Sequence, residues 1–335
     1  MPVHRRNPRI GQTRIVVVAR LPHRRAMIPI LLLLGAASIP SPSLEPRIFA
    51  PGIVSSGAND SAPTFSPDGR EIYFDRSNGQ SRALMISRLT ASGWSEPTVA
   101  PYSGRWTDLE CAMSADGSYL IFSSNRPASE EGPPIDGFYN GKAQAGKGGA
   151  LWRVDRLRNG WSRPRRLSGA VNISTSIYEP SLAANGDLYF QSSDPDGKQF
   201  HLYVARAAGG EYVEAQRIDL QGPPNSSDMD PAISPDESYL IFSSDRDSGS
   251  DHHLFIAFRT FMGWSTPKQL GSNINNGSVG DPRIDAVRHR LYFISRRLAP
   301  STGNIGADLK AAASWNNGLS NIWWIPFNPE DWKKG

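Results

Sequence analysis

The sequence predicts an all-β chain folded as a single β-propeller of five four-stranded blades. Three observations carry this. A block marked by a closing Phe recurs five times, with Phe at positions 74, 122, 190, 242 and 293. Each copy divides into short apolar runs separated by turn signals. The last copy lacks an outer strand, and a segment resembling that strand stands near the front of the chain.

The first strand of each copy ends on an apolar residue: Phe65, Met113, Leu182, Ile233 and Ile284. A tight turn follows, written Ser66-Pro67-Asp68-Gly69 in the first copy, Ser114-Ala115-Asp116-Gly117 in the second, Asn185-Gly186 in the third and Ser234-Pro235-Asp236 in the fourth. Asp-Gly and Asn-Gly between apolar runs signal a hairpin because the turn needs positive φ. The second strand is the triplet ending in Phe, such as Ile72-Tyr73-Phe74 and Leu120-Ile121-Phe122. Continuous apolar triplets fit strands covered on both faces, as stacked blades are. The third strand is read at Leu84-Met85-Ile86, Leu151-Trp152, Leu202-Tyr203-Val204, Leu254-Phe255-Ile256 and Ile322-Trp323-Trp324. The fourth follows Gly93-Trp94-Ser95-Glu96-Pro97, Gly160-Trp161-Ser162-Arg163-Pro164 and Gly263-Trp264-Ser265-Thr266-Pro267, and is degenerate at Gly210-Glu211-Tyr212. Proline suits an outer edge, where no neighbour needs its missing N–H.

These units place blade cores at about residues 60–100, 108–168, 177–220, 228–271 and 280–327, within a domain spanning 42–330. The fifth copy stops near Phe327. Residues 45–51, with Glu45-Pro46, resemble residues 96–101, with Glu96-Pro97, so this segment is expected to supply the missing strand and close the ring. Closure removes an exposed sheet edge. Six blades are the alternative count, but no stretch of sequence remains for a sixth copy. Insertions at 127–149, with Phe138-Tyr139, and at 298–318, with Trp315, interrupt the second and fifth copies. Long loops on a rigid scaffold often carry recognition.

The formal charge of +4 is misleading. Residues 1–27 hold seven arginines and no acid, so the rest of the chain carries −3. A nucleic-acid role therefore loses its main support. Residues 1–41 read as a leader: Arg24-Arg25, then the apolar run from Met27 to Leu34, then small residues suited to cleavage. The run is short for a membrane span. A periplasmic or secreted protein is expected, with no membrane association beyond the leader. Cys111 is the one cysteine, so an intramolecular disulfide is impossible, and a buried structural thiol is expected.

The Ser66-Pro67-Asp68-Gly69 hairpin, the Phe-Ser-Ser-x-Arg segments Phe122–Arg126 and Phe242–Arg246, and the Gly-Trp-Ser-x-Pro segments resemble the WD-like repeats of TolB-type bacterial propellers. The resemblance covers about residues 43–327. It implies the fold and says little about function. The additional N-terminal domain and sixth blade of TolB itself have no counterpart here.

Aligning the copies on Ser66, Ser114, Ala183, Ser234 and Asp285 exposes a pattern of acids. Four residues earlier stand Ala62, Glu110, Glu179, Asp230 and Asp281; six earlier stand Asp60, Asp108, Ile177, Asp228 and Val279. Even offsets share one face of a regular strand. Asp60, Asp108, Glu110, Glu179, Asp228, Asp230 and Asp281 are thus expected to form an acidic channel mouth that binds a cation or a basic ligand. The competing reading is that these acids cap backbone groups or pair with arginines. Arg126, Arg246 and Arg297, each four residues after a blade Phe, are the expected counter-charges, whereas Arg76 falls two after its Phe and is not equivalent. Asp245, Asp247 and Asp251 have the spacing of a calcium loop but lack further oxygen ligands, so calcium is the candidate ion there and no other cofactor is expected.

No nucleophile elbow, phosphate loop, dinucleotide fingerprint or zinc spacing occurs. The expectation is a monomeric binding or scaffold module presenting a propeller face to an envelope protein or a glycan. The alternative is a carbohydrate-active hydrolase, with Glu110 or Glu179 as acid and Asp230 or Asp281 as base or nucleophile.

Overall fold

A computed structural model describes residues 45–129 and 131–333. The leader expected over residues 1–41 lies outside them. Five antiparallel sheets form a ring of blades, numbered here in chain order from the first complete copy. Blade 1 runs outward through Asn59–Phe65, Glu71–Ser77 and Arg82–Thr90, and the inner three strands of every other blade repeat that meander. Burial explains the sequence pattern. The five blade phenylalanines have no solvent exposure. Each sits in a cluster joining neighbouring blades, as where Tyr73 and Leu84 of blade 1 pack with Phe122 and Trp152 of blade 2.

The Ser-x-Asp turns are built alike. Ser66 Oγ donates to Asp68 Oδ1 at 2.6 Å while Gly69 N–H donates to Ser66 O, with Gly69 at φ 69°. Ser114 with Asp116 and Ser234 with Asp236 repeat the bond at 2.8 Å. In blade 4 the left-handed position falls to Glu237, at φ 57°.

The outer strands differ from the expected single run. In blade 1 the outer edge divides into Gly93–Trp94, paired with Leu89–Thr90, and Thr98–Val99, paired with Met85–Ile86. Pro97 has no N–H to carry the ladder across the gap. The serine of Gly-Trp-Ser-x-Pro bridges it: Ser95 Oγ accepts Arg88 N–H at 3.0 Å and Ser95 O accepts Ser87 Oγ–H at 2.6 Å.

The ring closes as the terminal match predicted. Arg47–Ile48 pairs antiparallel with Asn321–Pro326 and forms the outer strand of blade 5. Phe49 N–H then donates to Ile322 O at 2.9 Å. The Phe49 ring meets Phe65 and Trp94 of blade 1 at 5.7 Å each and Tyr292 of blade 5 at 5.5 Å, so one side chain ties the last blade to the first.

Both insertions connect a second strand to a third. The first holds a hairpin, Gly137–Tyr139 with Lys142–Gln144. The second holds a helix, Ile305–Ala312, capped by Asn304. In this meander, such connections lie at the end of the ring where the innermost strands begin, the end of the predicted acidic mouth.

Candidate functional site

The innermost strands are not regular. Ala62, Glu110, Glu179, Asp230 and Asp281 all have φ between 45° and 53°, and every inner strand shifts register there. Each is a β-bulge with its extra residue in the left-handed region. The bulge breaks the alternation on which the even-offset argument relied. The seven predicted acids therefore separate into two sets.

Asp60, Asp108 and Asp228 turn into the wedges between blades and pair with arginines. Arg126 Nη2 lies 2.7 Å from Asp108, and Arg246 Nη2 lies 2.6 Å from Asp228. Arg76 Nε lies 2.6 Å from Asp60, so Arg76 takes the same part from a different position in its copy. Burial pushes the Asp60 carboxyl up, opposed by Arg76 and by Ser56. Arg297 departs from the expected counter-charge role. Val279 stands where blade 5 would need an acid, and the Arg297 guanidinium donates instead to Asn273 O at 2.7 Å and to Ile274 O. Burial lowers Arg297 to about 10.

Glu110, Glu179, Asp230 and Asp281 converge at the channel. A left-handed bulge leaves its N–H without a ladder partner, and side chains of the preceding blade accept these bonds. Glu110 N–H donates to Asp75 Oδ1 at 3.3 Å, Glu179 N–H to Glu110 Oε2 at 2.9 Å, Asp230 N–H to Gln191 Oε1 at 2.5 Å and Asp281 N–H to Asp230 Oδ2 at 3.2 Å. Asp75 and Gln191, absent from the predicted set, each follow a blade Phe directly. The aligned column after Phe, which also holds Ser123 and Ser243, carried that signal. Arg82 and Arg283 were also missed. Arg82 lies 3.4 Å from Asp75 and lines the mouth beside Glu110. Arg283 extends from blade 5 to a buried ion pair with Glu179 of blade 3.

The electrostatics follow from this crowding. Burial raises Glu110 well above the usual carboxylate range, with Asp281 and Asp75 adding repulsion and Arg82 opposing. Burial likewise raises Glu179 against the pull of Arg283, and raises Asp281 with help from Glu179 and Asp230. The Cys111 thiol, in the slot that four other copies fill with proline, is pushed far up by burial.

The mouth opens into two recesses. One, of about 410 Å³, is lined by Arg82, Glu110, Lys147, Gln191 and three aromatic rings, Tyr139, Tyr178 and Phe200. Those rings stand 6.1–6.4 Å apart, Tyr139 edge-on to Tyr178. Tyr139 comes from the first insertion, and Tyr178 O–H donates to Lys147 O at 2.5 Å. The other recess, of about 300 Å³, holds Asp230, Asp281, His252 and Arg296. The opposite end of the channel is mainly apolar: a cavity of about 290 Å³ lined by Phe65, Met113, Leu182, Ile233 and Ile284, at or beside the ends of the five inner strands, together with Arg283, Asp285 and Arg288.

The calcium-like loop does not gather its acids. Asp245 accepts Ser227 N–H, Asp247 bonds His253 and Gln269, and Asp251 uses its backbone oxygen for Ser248. Among the described residues the one group of carboxylates close enough to share an ion is Glu179, Asp230 and Asp281.

No family model matches the chain. A search of curated proteins found no significant match. Solved structures similar to it include one described as TolB from Agrobacterium tumefaciens, with TM-score 0.47, 17% identity, 71% of this chain and 70% of that one covered. An α-L-arabinofuranosidase from Podospora anserina in complex with cellotriose gives 0.46 and 12%, over 86% and 95%. A gluconolactonase from Xanthomonas campestris gives 0.45 and 12%, over 85% and 95%. The five-bladed assignment rests on the sheet topology described above. Among the described residues no helix is long and apolar enough to cross a membrane.

Proposed function

We propose that this propeller is an exported binding module whose acidic, aromatic-walled mouth takes a glycan displayed in the cell envelope or its surroundings. The observation that carries this is the recess where Tyr139, Tyr178 and Phe200 stand beside Glu110, Gln191 and Arg82. Aromatic faces cover the apolar faces of a sugar ring, while carboxylate, amide and guanidinium groups match its hydroxyls. The recess sits on a closed scaffold, and the first insertion supplies one of its walls. A protein partner reached through the same face is the broader form of this reading.

A glycan array probed with the full chain tests it. Retention of a defined glycan class, lost in Tyr178→Ala, supports the reading. No retained glycan, or retention indifferent to Tyr178→Ala, refutes it. The hydrolase reading is favoured by the raised pKa of Glu110, since a general acid must hold its proton near neutrality. Glu179 is a poor acid there, because it is enclosed and paired with Arg283. If a hydrolytic activity is found, Glu110→Gln must abolish it.

A further inference from the structure

The bulges of blades 3, 4 and 5 bring oxygens of Glu179, Asp230 and Asp281 within 4.8 Å of one another. Their bonding leaves lone pairs unused. Glu179 Oε1 is buried without a hydrogen-bond partner, in a side chain with 1% exposure. Asp230 spends Oδ2 on Ser243 Oγ–H at 2.6 Å and on Asp281 N–H, and no hydrogen bond to its Oδ1 is formed among the described residues. The Asp281 carboxylate makes no hydrogen bond among the described residues, although its residue is only partly exposed. The guanidinium of Arg283 pairs with one of the three carboxylates, and although Arg82 also acts on Glu179 and Asp281, Asp75 and Glu110 add further negative charge beside them, so acids outnumber guanidinium groups here.

We infer that Glu179, Asp230 and Asp281 form a binding site for one divalent cation of the hard, oxygen-seeking class, seated at the base of the channel mouth. An enclosed carboxylate oxygen without a donor carries a large desolvation cost, and a shared cation removes it. Three carboxylates from the protein leave coordination positions for water or for a ligand entering from the recess that holds Asp230 and Asp281. The site stands apart from the glycan reading, because its three ligands are not among the aromatic recess residues.

Calorimetric titration of the chelator-stripped full chain with Ca2+ and with Mn2+ tests the site. One saturable ion per chain is expected for at least one of the two. Asp281→Asn and Asp230→Asn should each weaken it tenfold or more, while Asp247→Asn, in the calcium-like loop, should leave it unchanged. Asp281→Asn removes no hydrogen bond seen in the structure, so it keeps the test valid even if Asp230→Asn disturbs the fold. Circular dichroism and melting in chelator check both variants. Absence of saturable binding by either ion overturns the inference, as does binding that survives Asp281→Asn or disappears with Asp247→Asn.

Discussion

Three blades carry an arginine four residues after their phenylalanine, and only two of those blades carry the facing acid. This is a built-in control. Arg126 is 3% exposed; it pairs with Asp108, donates to Tyr102 O at 3.1 Å and Ser124 Oγ at 3.0 Å, and stands over Phe122 and Trp152 at 5.3 and 5.1 Å. Arg126→Met keeps most of the stacked volume and strands Asp108, whose Oδ2 already lacks a partner. Breaking a buried pair on one side costs about 3–5 kcal/mol. At roughly 2 °C per kcal/mol for a chain of this size, melting should fall by about 6–10 °C. Arg297→Met loses similar stacking, over Phe293 and Trp323, and its bonds to Asn273 O and Ile274 O, but strands no acid. Its cost should be about 1–2 kcal/mol. The double variant Arg126→Met/Asp108→Leu should recover most of the loss, since apolar replacement of a whole buried pair is often near neutral. Calorimetric melting of the three variants decides the matter. Equal losses in Arg126→Met and Arg297→Met, or no recovery in the double variant, would refute the reasoning.

Phe49→Ala should destabilise the chain by about 3–5 kcal/mol, because the ring fills the seam between blades 5 and 1; a loss below about 1 kcal/mol in denaturant titration would show that closure does not depend on it. Cys111 should resist a thiol reagent in the native chain and react once per chain in denaturant; rapid native labelling would contradict its burial. Glu110, Glu179 and Asp281 have raised pKa values in the folded state, so the folded chain holds protons that the unfolded chain has released. Stability should therefore fall as pH climbs above the ordinary carboxylate range, and melting in chelator from about pH 5 to 8 should show it, with Asp281→Asn flattening the slope.

Repeat, hairpin turns and closure were all legible because each rests on local chemistry: Asp-Gly turns, apolar triplets, and a terminal segment that echoes residues 96–101. The site was half legible. Aligning the copies found Glu110, Glu179, Asp230 and Asp281, but grouped them with Asp60, Asp108 and Asp228. Strand periodicity cannot reveal a bulge, and a single left-handed residue sends the two sets in different directions. Asp75 and Gln191 were within reach, because their column lies beside the blade Phe. Arg283 was harder to find. Its counterparts Thr64, Ala112, Ser181 and Ala232 are small, and its partner Glu179 lies 104 residues away in sequence.

The central claim is that the repeated bulges of blades 2 to 5 drive carboxylates from separate blades into one channel mouth. Titration of the full chain labelled with 13C at its Asp and Glu carboxyls, in chelator, tests this most directly. The account predicts a small set of carboxyls titrating well above the usual range, and the set should shrink in Glu110→Gln and in Asp281→Asn. If every carboxyl titrates in the ordinary range, the acids do not share a mouth and the account is wrong.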